Sequence, residues 1–343
     1  MKRHKICKII FAILAVFLCV AFYELIGICV TYKKQPAVSD ATIKETQNIM
    51  SVAGRENTER AVIIEKNSQA LLERVRLIQN AKDEIILSTF AFKSDESGKL
   101  ILGALHDAAD RGVHVRILVD GMESWIDMEG NPYFYGLSSH ENVEIKLYNK
   151  ANPLKPWKTM GRMHDKYLIA DGKIYILGGR NTYNYFLGDF PGHKNFDRDV
   201  LVVCDEPQKD NSVNQLWNYF ETIWEQEDCR YFHNSKKLAD RQSVKKAVLE
   251  LQEGYQQYFE VNKEKICDTD YADETFETEK IILLSNPIHT QAKEPVVWYQ
   301  LGELMKNAKE RVKIHTPYII CNDMMYNTWE EIAQKVPDFS IMT

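Results

Sequence analysis

The sequence predicts an α/β sandwich that follows a single membrane-spanning helix. Three observations support this fold class. A long apolar segment lies near the N-terminus, helical and strand patterns alternate from about residue 61, and part of that alternation recurs 227 residues later. With 343 residues and 45% hydrophobic content, the chain is long enough for roughly two domains.

The apolar segment from Ile9 to Val30 contains one charged residue, Glu24, and is about long enough to cross a bilayer. It offers bulky residues where a signal-peptidase site needs small ones, which favours an uncleaved anchor. Basic residues within positions 1–8 favour a cytoplasmic N-terminus, with the remaining chain on the extracytoplasmic side. Two lysines at 33 and 34, on the far flank, weaken that orientation.

Residues 31–60 are polar, lack apolar periodicity and are expected to form a stalk. Helical spacing then runs through SQALLERVRLIQNAK at 68–82, followed by the strand EIILSTFAF, a helix closed by Gly112, and the strand VHVRILVDG. This order is typical of a parallel sheet with crossover helices. We therefore expect residues 61–232 to form a complete α/β unit.

An internal duplication is indicated by RVRLIQNAKDEIILSTFAF at 74–92 and LGELMKNAKERVKIHTPYI at 301–319, which share Asn-Ala-Lys between a helix and a strand. Residues 233–280, rich in charge and poor in strand signals, would form a helical connector. The second copy, 281–343, ends at the equivalent of the second strand. We expect the chain to be the front part of a longer protein, with the counterpart of residue 164 near residue 391.

The distribution of charge along the chain restricts the classes of partner that it can bind. A formal net charge of -6 excludes a globally basic nucleic-acid binder, but residues 150–199 hold nine Lys and Arg against five Asp. This local excess is either a solvated surface or the surroundings of an anion site. Cysteines outside the anchor lack the spacing of a metal site and no carboxylate cluster suggests one, so no metal or other cofactor is expected.

The basic segment contains RMHDKYLIADGKIYILGGRN at 162–181, which reads as two strands joined by a tight turn at Asp171-Gly172. Side chains two apart on a strand share a face, so His164 and Lys166 are expected together. An imidazole can attack phosphorus or move a proton, and a neighbouring ammonium can neutralise phosphate oxygens. A lone His-x-Lys pair on a strand edge is, however, far more often a solvent-facing feature without a function.

The longer spacing is more specific. His164-x-Lys166 is followed after four residues by Asp171 and after six more by Gly178-Gly179-x-Asn181, which resembles the signature of the phospholipase D superfamily. Within that superfamily the chain is similar to bacterial cardiolipin synthases, from about residue 61 onward. The resemblance implies a phospholipase D-like α-β-α sandwich with a complete first repeat and an incomplete second one. It also implies phosphodiester exchange through a phosphohistidine.

The same resemblance implies roles for individual residues. His164 would be the nucleophile, and Lys166 and Asn181 would hold the phosphate, with the Gly179 backbone close to the ligand. Asp171 would fill the acidic position of the motif, and an aspartate in FDRDVLVV, Asp197 or as a fallback Asp199, would hydrogen-bond the histidine. In the family the leaving-group acid is the histidine of a second motif, so the 343-residue chain alone is expected to be inactive.

The leading hypothesis is a membrane-anchored phosphatidyl transferase or phospholipase. Its expected partners are a phospholipid substrate, the membrane, and either the second repeat of the same protein or a homodimer. Two alternatives stay open: a phosphodiesterase or nuclease of the same superfamily, and a non-catalytic membrane-tethered scaffold. The basic excess is local, so nucleic acid is not expected as a partner. The sequence leaves the acceptor open among water, glycerol and phosphatidylglycerol.

Overall fold

The computed structural model describes residues 2–51, 59–207, 209 and 211–343. They fall into two compact units, Glu56–Ile282 and a smaller one made of Met1–Arg55 with Leu283–Thr343. The smaller unit contains α1 (Lys2–Tyr32), α2 (Asp40–Ser51), α9 (Val296–Lys306), β10 (Arg311–His315), α10 (Asp323–Lys335) and β11 (Asp338–Met342). The larger unit contains β1 (Arg60–Ile64), α3 (Asn67–Asn80), β2 (Glu84–Thr89), α4 (Glu96–Asp110), β3 (His114–Asp120), α5 (Gly121–Asp127), α6 (Pro132–Ser138), β4 (Val143–Tyr148), β5 (Tyr167–Ala170), β6 (Ile174–Gly178), β7 (Asp199–Val203), α7 (Ser212–Trp224), β8 (Cys229–Tyr231), α8 (Gln242–Cys267) and β9 (Phe276–Glu277).

The sheet of the larger unit has the strand order β8-β4-β3-β2-β5-β6-β7-β1-β9. Strands β2, β3 and β4 are parallel neighbours, whereas β5 runs antiparallel to β2, and β6 and β7 continue antiparallel. The carboxyl ends of β2, β3, β4 and β6 therefore meet the amino ends of β5 and β7 at one edge of the sheet. We call this the site edge.

Both faces of this sheet are covered, which explains the nearly continuous apolar runs in its parallel strands. In β3, Val115, Ile117 and Val119 belong to the main core, on the face where α3, α4 and α8 pack. Arg116, which alternates with them, pairs with Glu221 of α7 at 2.6 Å on the opposite face. The helix–sheet–helix layering agrees with the predicted α/β sandwich.

The structure shows a helix within each of two predicted segments. The expected stalk, 31–60, contains α2, because Thr42 donates a hydrogen bond to Glu294 at 2.6 Å and Ser39 binds the same carboxylate. Its residues 52–58 lie outside the described part of the chain. The expected connector, 233–280, contains α8, which packs on α3, α4 and α6 and so belongs to the larger unit.

The smaller unit repeats part of the larger one in element order. Its α9, β10, α10 and β11 follow the order of α3, β2, α4 and β3, and β10 pairs with β11 in parallel as β2 does with β3. This order is the one expected of a partial second copy. Within α1, the helix Ile6–Tyr32 is long and apolar enough to cross a membrane, and it includes the predicted anchor, Ile9 to Val30.

Candidate functional site

The segment 162–181 contains the predicted hairpin, formed by β5 and β6, with Tyr167 opposite Leu177. Residues 162–166 precede β5 and are not part of the strand. Asp171 and Gly172 both have positive φ, 52° and 60°, as a two-residue turn between right-twisted strands requires. β5 is the central strand of the sheet, so it is held by neighbours on both sides. The residues that precede it at the site edge are therefore fixed by the most buried part of the domain.

His164 and Lys166 lie next to β5 and share a neighbour, Phe90, which follows β2. The His164 ring meets the Phe90 ring edge-on at 4.5 Å, and Lys166 Nζ lies 5.3 Å from the same centroid. Lys166 is buried and its ammonium donates to the His164 carbonyl at 2.5 Å, whereas the His164 side chain is accessible to solvent. Asp165 faces the other way and accepts a hydrogen bond from Tyr219 of α7 at 2.8 Å.

The surroundings of this pair shift both pKa values downward. Partial burial lowers the pKa of His164 below its usual 6.5, and the charge of Lys166 lowers it further, against the opposing charge of Asp120. Burial lowers the pKa of Lys166 to about 8. At neutral pH the imidazole is therefore uncharged and able to act as a nucleophile, while the lysine is still mostly charged.

The structure adds a cation that sequence reasoning missed. The Arg162 guanidinium stacks 5.0 Å from the Phe90 centroid, and it is held by Asp120 at 2.8 Å and Glu123 at 3.1 Å. Asp120 ends β3, is buried, and also accepts from the Met163 amide at 3.1 Å. The sequence did contain a signal for Arg162. In an extended segment alternate side chains share a face, so residue 162 lies on the same face as residues 164 and 166.

The loop after β6 brings a further predicted residue to the site edge. Asn181 is buried, and its side-chain oxygen accepts from the Ala91 amide at 3.2 Å, next to the residue that carries the shared aromatic ring. Gly179 packs against Asp197, because a Cβ on Gly179 would lie 2.0 Å from Asp197 Oδ2. The loop can hold this shape only with glycine at that position.

Asp171, which is expected to fill the acidic position of the motif, does not lie beside His164 in the structure. It lies at the opposite end of β5, and four strand residues span about 13 Å. Its carboxylate instead accepts the backbone amides of Lys82, Asp83 and Glu84 at 2.9, 2.8 and 3.0 Å. The physical reason is local: a left-handed turn aims the side chain at the start of β2.

The two aspartates expected to orient the histidine have other partners in the structure. Within the described residues, no hydrogen bond joins the His164 ring to Asp197, whose Oδ1 accepts from the next backbone amide at 2.7 Å. Asp199 is fully buried between Arg74 at 2.9 Å and Arg180 at 3.3 Å, so it is a core ion-pair residue. The carboxylates whose charges act on His164 are those of Asp120 and Glu123.

No group of three or more potential ligands for a metal ion occurs among the residues that the structure describes. The cysteines in the same part of the chain are free thiols. The groups that the structure places at the site edge include one imidazole, two cations and an amide.

Comparison with known proteins identifies the domain that carries this site edge. The family described as "Cardiolipin synthase, PLD-like domain" matches residues 75–224, a range that contains Phe90, Asp120 and the whole of 162–197. Residues 75–224 are a phospholipase D-like domain.

Two curated relatives are similar to this chain over part of their length. Cardiolipin synthase C of Escherichia coli is 29% identical over 154 residues, which cover 41% of this chain and 31% of that protein. An uncharacterized protein of Helicobacter pylori is 27% identical over 315 residues, 84% of this chain and 59% of its own length. The chain thus spans less than two thirds of the length of these relatives.

A solved structure extends the likeness in fold. Phosphatidylserine synthase of Haemophilus influenzae matches with a TM-score of 0.58 at 13% identity, over 88% of this chain and 65% of that protein. At this identity the match shows a shared fold alone. It agrees with the phospholipase D-like architecture that the sequence predicts.

Proposed function

We propose that the chain is a membrane-anchored phosphatidyl transferase or phospholipase of the phospholipase D type, with His164 as the nucleophile. The observation that carries this proposal is an uncharged imidazole placed beside two cations, Lys166 and Arg162, around the single ring of Phe90. The relative named cardiolipin synthase C supports a phosphatidyl group as the one transferred.

The first step forms a covalent intermediate. A ring nitrogen of His164 attacks phosphorus, the bond from phosphorus to the leaving oxygen breaks, and the departing alkoxide takes up a proton. Lys166 and Arg162 neutralise the non-bridging oxygens, and the Asn181 amide donates to them. In the second step water or an alcohol attacks phosphorus, the phosphorus–nitrogen bond breaks to release the neutral imidazole, and the group that protonated the alkoxide takes the proton of the attacking hydroxyl.

Protonation of the leaving alkoxide needs an acid besides His164. Within the described residues the His164 ring contacts Phe90 and no second histidine. We propose that the acid comes from a second His-x-Lys motif, either in a further repeat or in a second copy of the chain. The order of α9, β10, α10 and β11 supports a further repeat. Since general acid catalysis contributes about 10²- to 10⁴-fold, these 343 residues alone should turn over natural lipids slowly.

The proposed attachment to the membrane rests on α1. The helix Ile6–Tyr32 has the length and apolar composition of a span, which would keep the phospholipase D-like domain at the bilayer surface. The charge pattern at its ends favours the extracytoplasmic side for the domain. Protease protection in sealed vesicles tests this side independently of catalysis.

A diester with a weakly basic leaving group tests the chemistry without the missing acid. We expect the purified chain to release about one equivalent of p-nitrophenol rapidly from p-nitrophenyl phosphatidate, because nitrophenolate leaves without protonation. His164→Asn should abolish this burst, and the matched surface variant His193→Asn should keep it. An equal burst from His164→Asn would refute the proposal. Faster reaction with a nucleotide p-nitrophenyl diester would favour the nuclease alternative.

A further inference from the structure

Several large apolar side chains are exposed beside the site edge, with 38% to 82% of their surface accessible. In a soluble domain such residues are normally scattered singly, and a group of them at one place marks an interaction surface. We call this group the apolar rim. It consists of Trp125, Ile126, Leu154, Trp157, Met160 and Phe196.

Strand directions put the whole rim at the edge that holds His164. Helix α5 follows the carboxyl end of β3, the loop 150–163 runs from the carboxyl end of β4 to β5, and Phe196 precedes β7. The loop is fastened at both ends. Asn149 donates its side-chain amide to the carbonyls of Lys158 at 2.7 Å and Gly161 at 2.8 Å, and Arg162 ties the loop to α5 through Glu123.

The charge of the rim indicates what covers it. The loop 150–163 contains three lysines and one arginine and no acidic residue. Lys155 is exposed, and Lys150, whose side chain is half accessible, lies 3.8 Å from Glu129 in a partly exposed ion pair. The acidic residues of α5 are already paired, Glu123 with Arg162 at 3.1 Å and Asp127 with Lys93 at 3.9 Å. Tryptophan beside apolar residues and lysines suits the headgroup level of a bilayer that contains anionic lipid. A second copy bound face to face would bring the same lysines together.

We propose that the apolar rim docks into the surface of a bilayer containing anionic phospholipid. The rim side chains then lie at the depth of the lipid headgroups, and the diester reaches His164 without crossing water. This inference rests on the proposed function for the nature of the substrate. The docking itself is a property of the rim alone and is measured without turnover.

Tryptophan fluorescence reports docking in the complete chain, because α1 contains no tryptophan and so contributes no signal from the membrane span. The chain is reconstituted into vesicles of phosphatidylglycerol and phosphatidylcholine, with or without acyl chains brominated near the headgroup. We expect bromine to quench the rim tryptophans, and the double variant Trp125→Phe and Trp157→Phe to lose at least half of that quenching. Trp217→Phe is the matched control, since Trp217 contacts the Gly172 turn at the opposite edge.

Two outcomes would overturn the docking proposal. One is equal quenching in the double variant and the wild type. The other is that a second copy of the chain covers the rim. In that case the chain is a dimer in detergent, Ile126→Glu converts it to a monomer, and brominated lipid leaves Trp125 unquenched. Failure of the proposed function is distinguishable, because it removes the nitrophenol burst and leaves quenching intact.

Burst rates measured with a vesicle-embedded and a soluble substrate separate docking from catalysis. Ile126→Glu and Leu154→Glu change exposed side chains, so folding should be unaffected, and circular dichroism checks this. We expect their burst with vesicle-embedded p-nitrophenyl phosphatidate to be about tenfold slower, and their burst with a soluble short-chain diester to be unchanged. Equal slowing with both substrates would contradict docking and indicate damage to the site.

Discussion

Replacing Asp171 with Ala should destabilise the phospholipase D-like domain and leave the chemistry at His164 intact. The Asp171 carboxylate accepts three backbone amides that open β2, and each bond contributes about 0.5–1.5 kcal/mol net. These amides are partly exposed, so the lower half of that range applies and the three together contribute about 2 kcal/mol. Alanine must also adopt a φ of 52°, which costs about 1 kcal/mol more.

A loss of about 3 kcal/mol lowers the melting temperature of a unit of this size by about 6–12 °C. Thermal unfolding in detergent, followed by circular dichroism, measures the shift. Asp171→Asn is the matched variant, because it keeps one acceptor oxygen and tolerates the left-handed turn, and it should lose less than half as much. The nitrophenol burst is recorded well below the transition. Loss of the burst in Asp171→Asn at an unchanged melting temperature would refute this reasoning and would indicate a catalytic role for Asp171.

Three further predictions address the site and the core. The burst rate should rise with pH through the lowered pKa of His164, below 6.5, and fall as pH passes about 8, where Lys166 loses its charge; a flat profile from pH 5 to 9 would contradict both assignments. Gly179→Ala should slow the burst at least about tenfold, because the added Cβ displaces the Asp197 carboxylate and a displacement of about 1 Å at a site lowers the rate by that factor or more. An unchanged rate would show that this contact does not shape the site. Asp199→Asn should cost about 3–5 kcal/mol in urea unfolding, because it leaves two buried guanidinium groups uncompensated, and a loss under about 1 kcal/mol would argue against a core ion pair.

The sequence could predict which side chains of the motif share a face, since alternation along a strand does not depend on what the strand packs against. It predicted His164 and Lys166 on one side, and Asp171-Gly172 as the turn. These features are local, and the structure agrees with them.

The neighbours of the motif could not be predicted in the same way. Phe90 and Asp120 reach His164 only because β5 inserts antiparallel beside β2, and the sheet then continues to β3. That strand order has no local sequence signal. Helix α2 also lacks a local sequence signal. Its sequence is polar, and Glu294, which accepts a hydrogen bond from Thr42 of this helix, lies more than two hundred positions later.

The central claim is that phosphorus becomes bonded to His164, and a mapped covalent adduct tests it most directly. The chain is mixed with p-nitrophenyl phosphatidate, quenched during the burst at alkaline pH, digested and analysed by mass spectrometry. We expect an acid-labile phosphatidyl adduct on the peptide that contains His164, with none in His164→Asn and full labelling in His193→Asn. A burst without any adduct, or an adduct on another residue that persists in His164→Asn, would contradict the account.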